Sequence, residues 1–181
     1  MFYNHQRVLR YLAAKDTNLV NDDDQNANTA LHIAAEYGHF DAVDQLVYNK
    51  ANITARNHIG MTPLDLAAKG GHLEICEFLI ENDAEIDPRD RRKKTPLMLA
   101  AEFGHHKVVK YLLAKGAQPF LVTASGNIHE EIENWRVYKS EMGMCNTLEL
   151  AIHHGCEESI KTIIMSDHWE ESLRTVVKIH F

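Results

Sequence analysis

Three stretches of nearly identical amino-acid sequence determine how this chain folds. They are TALHIAAEYGH beginning at Thr29, TPLDLAAKGGH beginning at Thr62 and TPLMLAAEFGH beginning at Thr95, each 33 residues after the one before. The same period relates positions outside these stretches, namely Leu46-Val47, Leu79-Ile80 and Leu112-Leu113, and also Ala51, Ala84 and Ala117. Agreement at so many offsets predicts one structural unit repeated in tandem.

The residues of each unit predict a pair of helices. Thr62 is suited to cap the first helix, and Pro63 follows at the position where a missing N–H costs nothing. Paired alanines keep this helix thin, so that neighbouring units can approach. A glycine then ends the helix where a left-handed residue is favoured, at Gly38, Gly71 and Gly104. The second helix carries the larger apolar face, on which we expect Cys76 to be a core residue.

The period, the T-x-L-x-x-A-A wording and the Gly-His pair that follows it resemble the ankyrin repeat. The resemblance extends over most of the chain. It implies an all-α solenoid of stacked helix-turn-helix units, with strand content near zero and a helical insertion before the last repeat. It also implies a scaffold for contact with protein partners rather than a pocket for chemistry.

Four positions depart from the usual pattern of these repeats. The glycine two residues before the repeated phrase is kept in the second unit, but Ala27 and Lys93 replace it in the other two. The glycine after the second helix is kept in the third unit, but Lys50 and Asp83 replace it elsewhere. If the backbone stays left-handed there, each substitution costs on the order of 1 kcal/mol.

The 33-residue period breaks before the last unit. The stretch NTLELAIHHGCEESIKTII, which begins at Asn146, matches the third unit at an offset of 51, so about 18 residues are inserted after Ala117. A capping box predicts a helix from about Asn127 to about Met142, with Trp135 turned toward protein. This helix either lies on the surface of the array or contacts another subunit or domain.

The start of the chain matches the second helix of a unit whose first helix is missing. It is either a capping helix or the continuation of a longer array. The proposed division of the chain is 1–22 partial repeat or N-terminal capping helix, 23–55, 56–88 and 89–118 ankyrin repeats, 119–145 insertion, 146–165 last repeat, and 166–181 C-terminal capping helix.

Charge and composition restrict the class of protein. The net charge of −7 and the pI near 5.9 disfavour a nucleic-acid backbone or an anionic lipid surface as partner. Three cysteines without regular pairing do not form a disulfide framework, and the start MFYNHQRVLRYL lacks a secretory apolar region. No run approaches the ~18 apolar residues of a membrane span. We therefore expect a soluble domain in a reducing compartment.

No set of residues predicts catalysis. His32 belongs to the T-x-L-H phrase, and three more histidines follow the glycines, where these repeats use them to hold turns together between units: His39, His72 and His105. The cluster His153-His154-Gly155-Cys156 lacks a second pair of ligands at a zinc-site spacing. Phosphate-binding loops and nucleophile elbows are also missing. We expect no enzyme activity, metal or cofactor, and no redox role can be assigned to Cys145 or Cys156.

The surface predicted to bind partners is the concave one, made by the loop tips and the exposed sides of the first helices. Aromatic residues and arginine are the usual anchors of protein interfaces. The partner-binding candidates are Tyr37, His58, Met61, Lys69, Arg91, Arg92, Phe103, Trp135 and Trp169, and the same surface is expected to include Asn26, Asn28, Glu36, Lys94 and Glu102.

The C-terminal part carries a second resemblance. In IIMSDHWEESLRTV, Asp167 is suited to cap a helix that bears Trp169 and Leu173. With the insertion and the last repeat before it, this segment resembles the end of the cytoplasmic ankyrin arm of TRPA-class cation channels. The resemblance implies ion transport of the calcium-channel kind, in which the array couples the pore to neighbouring subunits or regulators on the cytoplasmic side. The alternative is a stand-alone adaptor or regulatory protein in the cytoplasm.

Overall fold

A computed structural model describes residues 19–119, 121 and 147–166 of the 181-residue chain. A short 3-10 helix, Leu19–Asn21, comes first, and α-helices in pairs follow. The α-helices are α1 (Ala30–Glu36), α2 (Phe40–Tyr48), α3 (Pro63–Gly70), α4 (Leu73–Glu81), α5 (Pro96–Glu102), α6 (His106–Ala114), α7 (Thr147–His153) and α8 (Glu157–Ile164).

The helices stack in two layers in the order of the sequence. The first helices of successive units pack on one another, α1 on α3, α3 on α5 and α5 on α7. The second helices form the other layer, α2 on α4, α4 on α6 and α6 on α8. The described residues contain one isolated bridge, Asp23 to Thr29, and no multi-stranded sheet. The all-α solenoid predicted from the period is therefore confirmed.

The core runs along the array between the two layers. Leu31, Leu64 and Leu97 occupy one equivalent position and are 0–1% exposed, and the paired alanines beside them are also buried. Cys76 belongs to the same core and is fully buried, as its place on the apolar face predicts. Burial raises the pKa of the Cys76 thiol to about 12, so this thiol stays protonated.

Left-handed backbone is kept where glycine is missing. Ala27 and Lys93 have φ of 59° and 64°, and Lys50 and Asp83 have φ of 69° and 67°. The amide of Lys50 donates to the carbonyl of Val47, which closes the turn after α2. These four residues therefore carry a strain that a glycine would not.

We predict that Lys50→Gly and Asp83→Gly each raise the free energy of unfolding by up to about 1 kcal/mol, because glycine removes the left-handed strain. Greater freedom of the unfolded chain offsets part of the gain. Urea unfolding measures the effect, and Lys50→Ala is the matched control, since it removes the lysine but keeps the strain. A lower melting temperature in both glycine variants would contradict the prediction.

Histidines link each unit to the one before it. The Nε2–H of His72 donates to the carbonyl of Glu36 at 2.9 Å, and that of His105 donates to the carbonyl of Lys69 at 2.8 Å. A Cβ on Gly71 would lie 2.4 Å from Nδ1 of His105, so the imidazole requires glycine there. The prediction that these histidines hold turns together between units is confirmed for both.

The fourth unit uses a different side chain at this place. Cys156 occupies the position equivalent to His105, and its Sγ lies 3.7 Å from the carbonyl of Glu102. A thiol is a weak donor compared with an imidazole N–H. The link between the third and fourth units therefore depends less on this hydrogen bond than the earlier links do.

A second imidazole joins the first unit to the next loop. The amide of Thr29 donates to Nδ1 of His32 at 3.2 Å, so Nε2 carries the ring proton and donates to the carbonyl of Met61 at 3.0 Å. Burial lowers the pKa of His32, which also favours the neutral ring. One buried side chain thus caps α1 and ties two units together.

Asp65 replaces this histidine in the second unit and leaves one atom without a partner. Its Oδ2 accepts from the amide and the hydroxyl of Thr62 at 2.7 and 2.8 Å, but Oδ1 is buried with no hydrogen bond. Burial raises the pKa of Asp65 to about 7, against the opposing effect of the Thr62 hydrogen bonds. Below about pH 7 the folded chain therefore favours the protonated carboxyl group.

We predict that Asp65 makes the wild-type chain less stable as pH rises from about 5.5 to about 8.5, by roughly 1–2 kcal/mol. The reason is that the folded pKa of about 7 lies above the ordinary value of 3.8, so between these values the folded chain holds a proton that the unfolded chain has lost. The folded carboxyl group gives up this proton as pH rises through about 7, and the stability it contributes is then lost. Asp65→Asn keeps the shape and does not titrate. Urea unfolding of both proteins across this range measures the effect, and a difference that is independent of pH would contradict it.

Candidate partner-binding surface

The concave surface consists of three loop tips, the exposed sides of α1, α3, α5 and α7, and the residues that directly follow α1 and α5. The loop tips, called fingers here, are finger 1 (residues 22–29), finger 2 (residues 55–62) and finger 3 (residues 88–95). They are equivalent by the 33-residue period and precede α1, α3 and α5. Their variable residues are the part of each unit that differs most from its neighbours.

An Asp or Asn side chain shapes each finger. In finger 2, Oδ1 of Asn57 accepts from the amides of Ile59 and Met61 at 3.1 and 3.0 Å. Asp24 does the same in finger 1, and Asp90 accepts from the amide of Lys94 at 2.7 Å in finger 3. The turns are therefore held by their own side chains, independently of any partner.

Backbone hydrogen bonds also join the fingers to one another. The amide of His58 donates to the carbonyl of Asn26 at 2.8 Å, and the amide of Arg91 donates to that of Ile59 at 3.0 Å. Gly60 has φ of 80°, and a Cβ there would lie 3.0 Å from the amide nitrogen of Arg91. Glycine at this position thus allows fingers 2 and 3 to approach closely, and the hydrogen bond from Arg91 to Ile59 holds them there.

Large apolar side chains are exposed mainly on this surface. Among the described residues, six such side chains are exposed, and four of them lie on the concave surface: Ile33 (43%), Tyr37 (67%), Ile59 (55%) and Phe103 (50%). The other two lie on the layer of second helices, where Tyr48 is the last residue of α2 and Met165 directly follows α8. Exposed aromatic rings on a rigid scaffold are typical anchors of protein contacts.

Met61 is placed differently from the other candidates. It is only 9% exposed and packs with Leu66 and Leu99 in a small apolar cluster that is separate from the main core. Leu66 and Leu99 occupy the position of Ile33 in the next two units, yet they are 4% and 2% exposed. At this position the side chains of the second and third units are therefore buried, whereas the side chain of the first unit, Ile33, is exposed to solvent.

Lys69 connects three units across the surface. Its Nζ lies 3.8 Å from Oε1 of Glu36 and 5.9 Å from the centre of the Phe103 ring, within the range of a cation–π contact. The side chain of Lys69 is 38% exposed. Its ammonium group is therefore held beside an exposed aromatic ring and stays accessible to a partner.

A more covered ion pair lies in the third unit. Nζ of Lys94 is 2.5 Å from Oε2 of Glu102, and the two side chains are 10% and 15% exposed. The other oxygen of Glu102 lies 3.6 Å from Nε2 of His154 in the fourth unit. Lys94 and Glu102 were expected to contact a protein partner, but they form an ion pair with each other and are largely covered.

The remaining candidates divide into two groups. His58, Arg91 and Arg92 are exposed on fingers 2 and 3. Trp135 and Trp169 lie outside the described residues, as does the helix predicted from about Asn127 to about Met142. Sequence reasoning missed Ile33 and Ile59, although the 33-residue alignment places both of them on the concave surface.

Neither a metal centre nor a membrane span is found among residues 19–119 and 147–166. In these ranges, no three His, Cys, Asp or Glu side chains are grouped so that they could hold a metal ion. No helix there has the length and apolar character needed to cross a membrane.

The fold and surface define a repeat scaffold, in which stacked helix pairs present variable tips along one side. A family model described as ankyrin repeats (3 copies) matches residues 1–57 and 49–123, which is more than half of the chain. The chain belongs to the ankyrin repeat family and is a protein-interaction module; proteins of this family are generally not enzymes. Comparison with curated proteins gave no match.

Proposed function

We propose that this chain binds a protein partner through its concave surface, with Tyr37 and Phe103 as the main apolar contacts. The observation that carries the proposal is the exposure of these two rings, 67% and 50%, at equivalent positions two units apart. Covering an exposed aromatic ring contributes on the order of 1.5–3 kcal/mol. Two rings on one rigid array therefore supply a substantial part of the free energy of binding a partner segment.

The unit between the two rings leaves a gap. Gly70 stands at the position of Tyr37 and Phe103, and a Cβ there would lie 2.6 Å from Nε2 of His72. In the second unit the imidazole of His72 therefore occupies the space that a side chain at this position would need. This bare position lies between the two exposed rings along the array, and Lys69 beside Phe103 can donate a hydrogen bond to a partner.

We predict that Tyr37→Ala and Phe103→Ala each weaken peptide binding at least tenfold, because each removes an exposed anchor. Peptides are first selected from a random displayed library against the wild-type chain, and calorimetry then gives their affinities. Tyr48→Ala is the matched control, since Tyr48 is 79% exposed and lies at the end of α2. Failure to enrich any peptide, or an equal loss with Tyr48→Ala, would refute the proposal.

The wider role that we propose is the cytoplasmic arm of a TRPA-like cation channel, on the cytoplasmic side of a membrane. What supports it is sequence alone: an insertion of about 18 residues before the last unit and the segment that bears Trp169. In this role the array couples the pore of a calcium-type channel to other subunits or regulators. The alternative is a stand-alone cytoplasmic adaptor that uses the same concave surface.

The full-length transcript decides between the two roles. The channel role predicts about six apolar segments of ~20 residues each after Phe181. An open reading frame that stops directly after Phe181, with Met1 as its natural start, would eliminate the channel and leave the adaptor. Sequencing the transcript from both ends is sufficient, and its result does not affect the test of Tyr37 and Phe103.

A further inference from the structure

Positive charge is concentrated in finger 3, although the chain as a whole carries −7. Residues 88–95 contain five Lys or Arg and one Asp, a net charge of +4, whereas residues 22–29 of finger 1 contain three Asp and no basic residue. The charge of the fingers therefore changes sign along the array. A partner that binds along all three fingers contacts an acidic finger 1, a nearly neutral finger 2 and a basic finger 3.

Three of the basic side chains are exposed at the tip of finger 3. Arg91, Arg92 and Lys93 are exposed, and none forms an ion pair in the part of the chain that the structure describes. The neighbouring Asp90 attracts Arg92 electrostatically, but no ion pair between them is found among the described residues. Asp90 is 4% exposed and accepts a hydrogen bond within its own finger, while Glu102 pairs with Lys94.

Hydrogen bonds to finger 2 hold the backbone that carries these charged residues in place. The amide of Arg91 is bonded to the carbonyl of Ile59, and a Cβ on Gly60 would lie 3.3 Å from Cγ of Arg91. Arg56 donates to the carbonyls of Gly60 and Arg89 at 3.1 and 2.8 Å, which ties finger 2 to finger 3. The backbone of finger 3 therefore loses little entropy when a partner binds, whereas the exposed Arg and Lys side chains can still adjust to its carboxylates.

An apolar contact lies beside the charges. Ile59 is 55% exposed at the tip of finger 2, and its carbonyl is the acceptor for Arg91. A charged group flanked by an exposed aliphatic side chain suits a peptide that alternates acidic and apolar residues. The arginine fork is matched to carboxylates, which it binds through two parallel hydrogen bonds.

We propose that fingers 2 and 3 bind an acidic segment of the protein partner, with Arg91 and Arg92 on its carboxylates and Ile59 on an apolar residue. This inference rests on the proposed function of the concave surface and specifies the chemistry of the partner. A long polyanion such as nucleic acid is disfavoured because it would also meet the exposed Asp22 and Asp23 of finger 1. A short acidic peptide engages fingers 2 and 3 without reaching finger 1, and repulsion from finger 1 is screened beyond about 8 Å at physiological salt.

The test uses a defined probe on the full chain. A fluorescent 12-residue peptide of glutamates with one central leucine is compared with a peptide in which glutamines replace the glutamates. We expect the glutamate peptide to bind at least tenfold more tightly, and Arg91→Gln/Arg92→Gln to remove that preference. The control is Lys107→Gln/Lys110→Gln, which changes the net charge equally at two exposed positions on α6 and should alter affinity less than twofold.

The outcomes separate this inference from the proposed function. Equal binding of the two peptides, or an equal loss in the α6 control, would overturn the inference. Tighter binding of an RNA oligonucleotide or of anionic lipid vesicles than of the glutamate peptide would overturn the choice of partner. If selected peptides depend on Tyr37 and Phe103 but not on Arg91 and Arg92, the concave surface remains the binding site and only its acidic preference is wrong.

Discussion

The array depends on a hydrogen bond from an imidazole to the carbonyl of the preceding unit. His72 reaches Glu36 and His105 reaches Lys69 over nearly the same distance, so adjacent units are related in the same way. An ankyrin unit cannot bury its apolar face alone, and stacking is therefore what makes the chain fold. The imidazole adds direction to that stacking, because apolar contact by itself does not set a register.

The same contacts build the binding surface. The backbone carbonyls of Glu36 and Lys69 accept the hydrogen bonds from the imidazoles. The side chains of the same two residues form an ion pair on the concave surface. Lys69 then lies against the ring of Phe103 in the third unit. The row from Glu36 to Phe103 is thus positioned by the links that hold the units together, and a change in those links would alter the surface.

The two ends of the described array differ in how firmly they are linked. The first unit has a buried imidazole, His32, that reaches the next finger, whereas the second has Asp65 with an unpartnered oxygen. The fourth unit has the thiol of Cys156 in place of a histidine. A buried polar atom without a partner lowers stability. Local opening is therefore expected more readily at the second and fourth units than at the first link.

Much of the local structure could be predicted from the sequence by itself. The 33-residue period determined the helix pairs and the core position of Cys76, because these depend on residues within one unit or its copy. The resemblance to ankyrin repeats implied the role of His72 and His105. The tertiary structure alone decided which equivalent positions are exposed: Ile33 is open whereas Leu99 is covered. It also decided that Lys94 is neutralised by Glu102 while Arg91 is left free of ion pairs among the described residues. The physical reason is that exposure and pairing are set by side chains from adjacent units, which a repeat pattern does not encode.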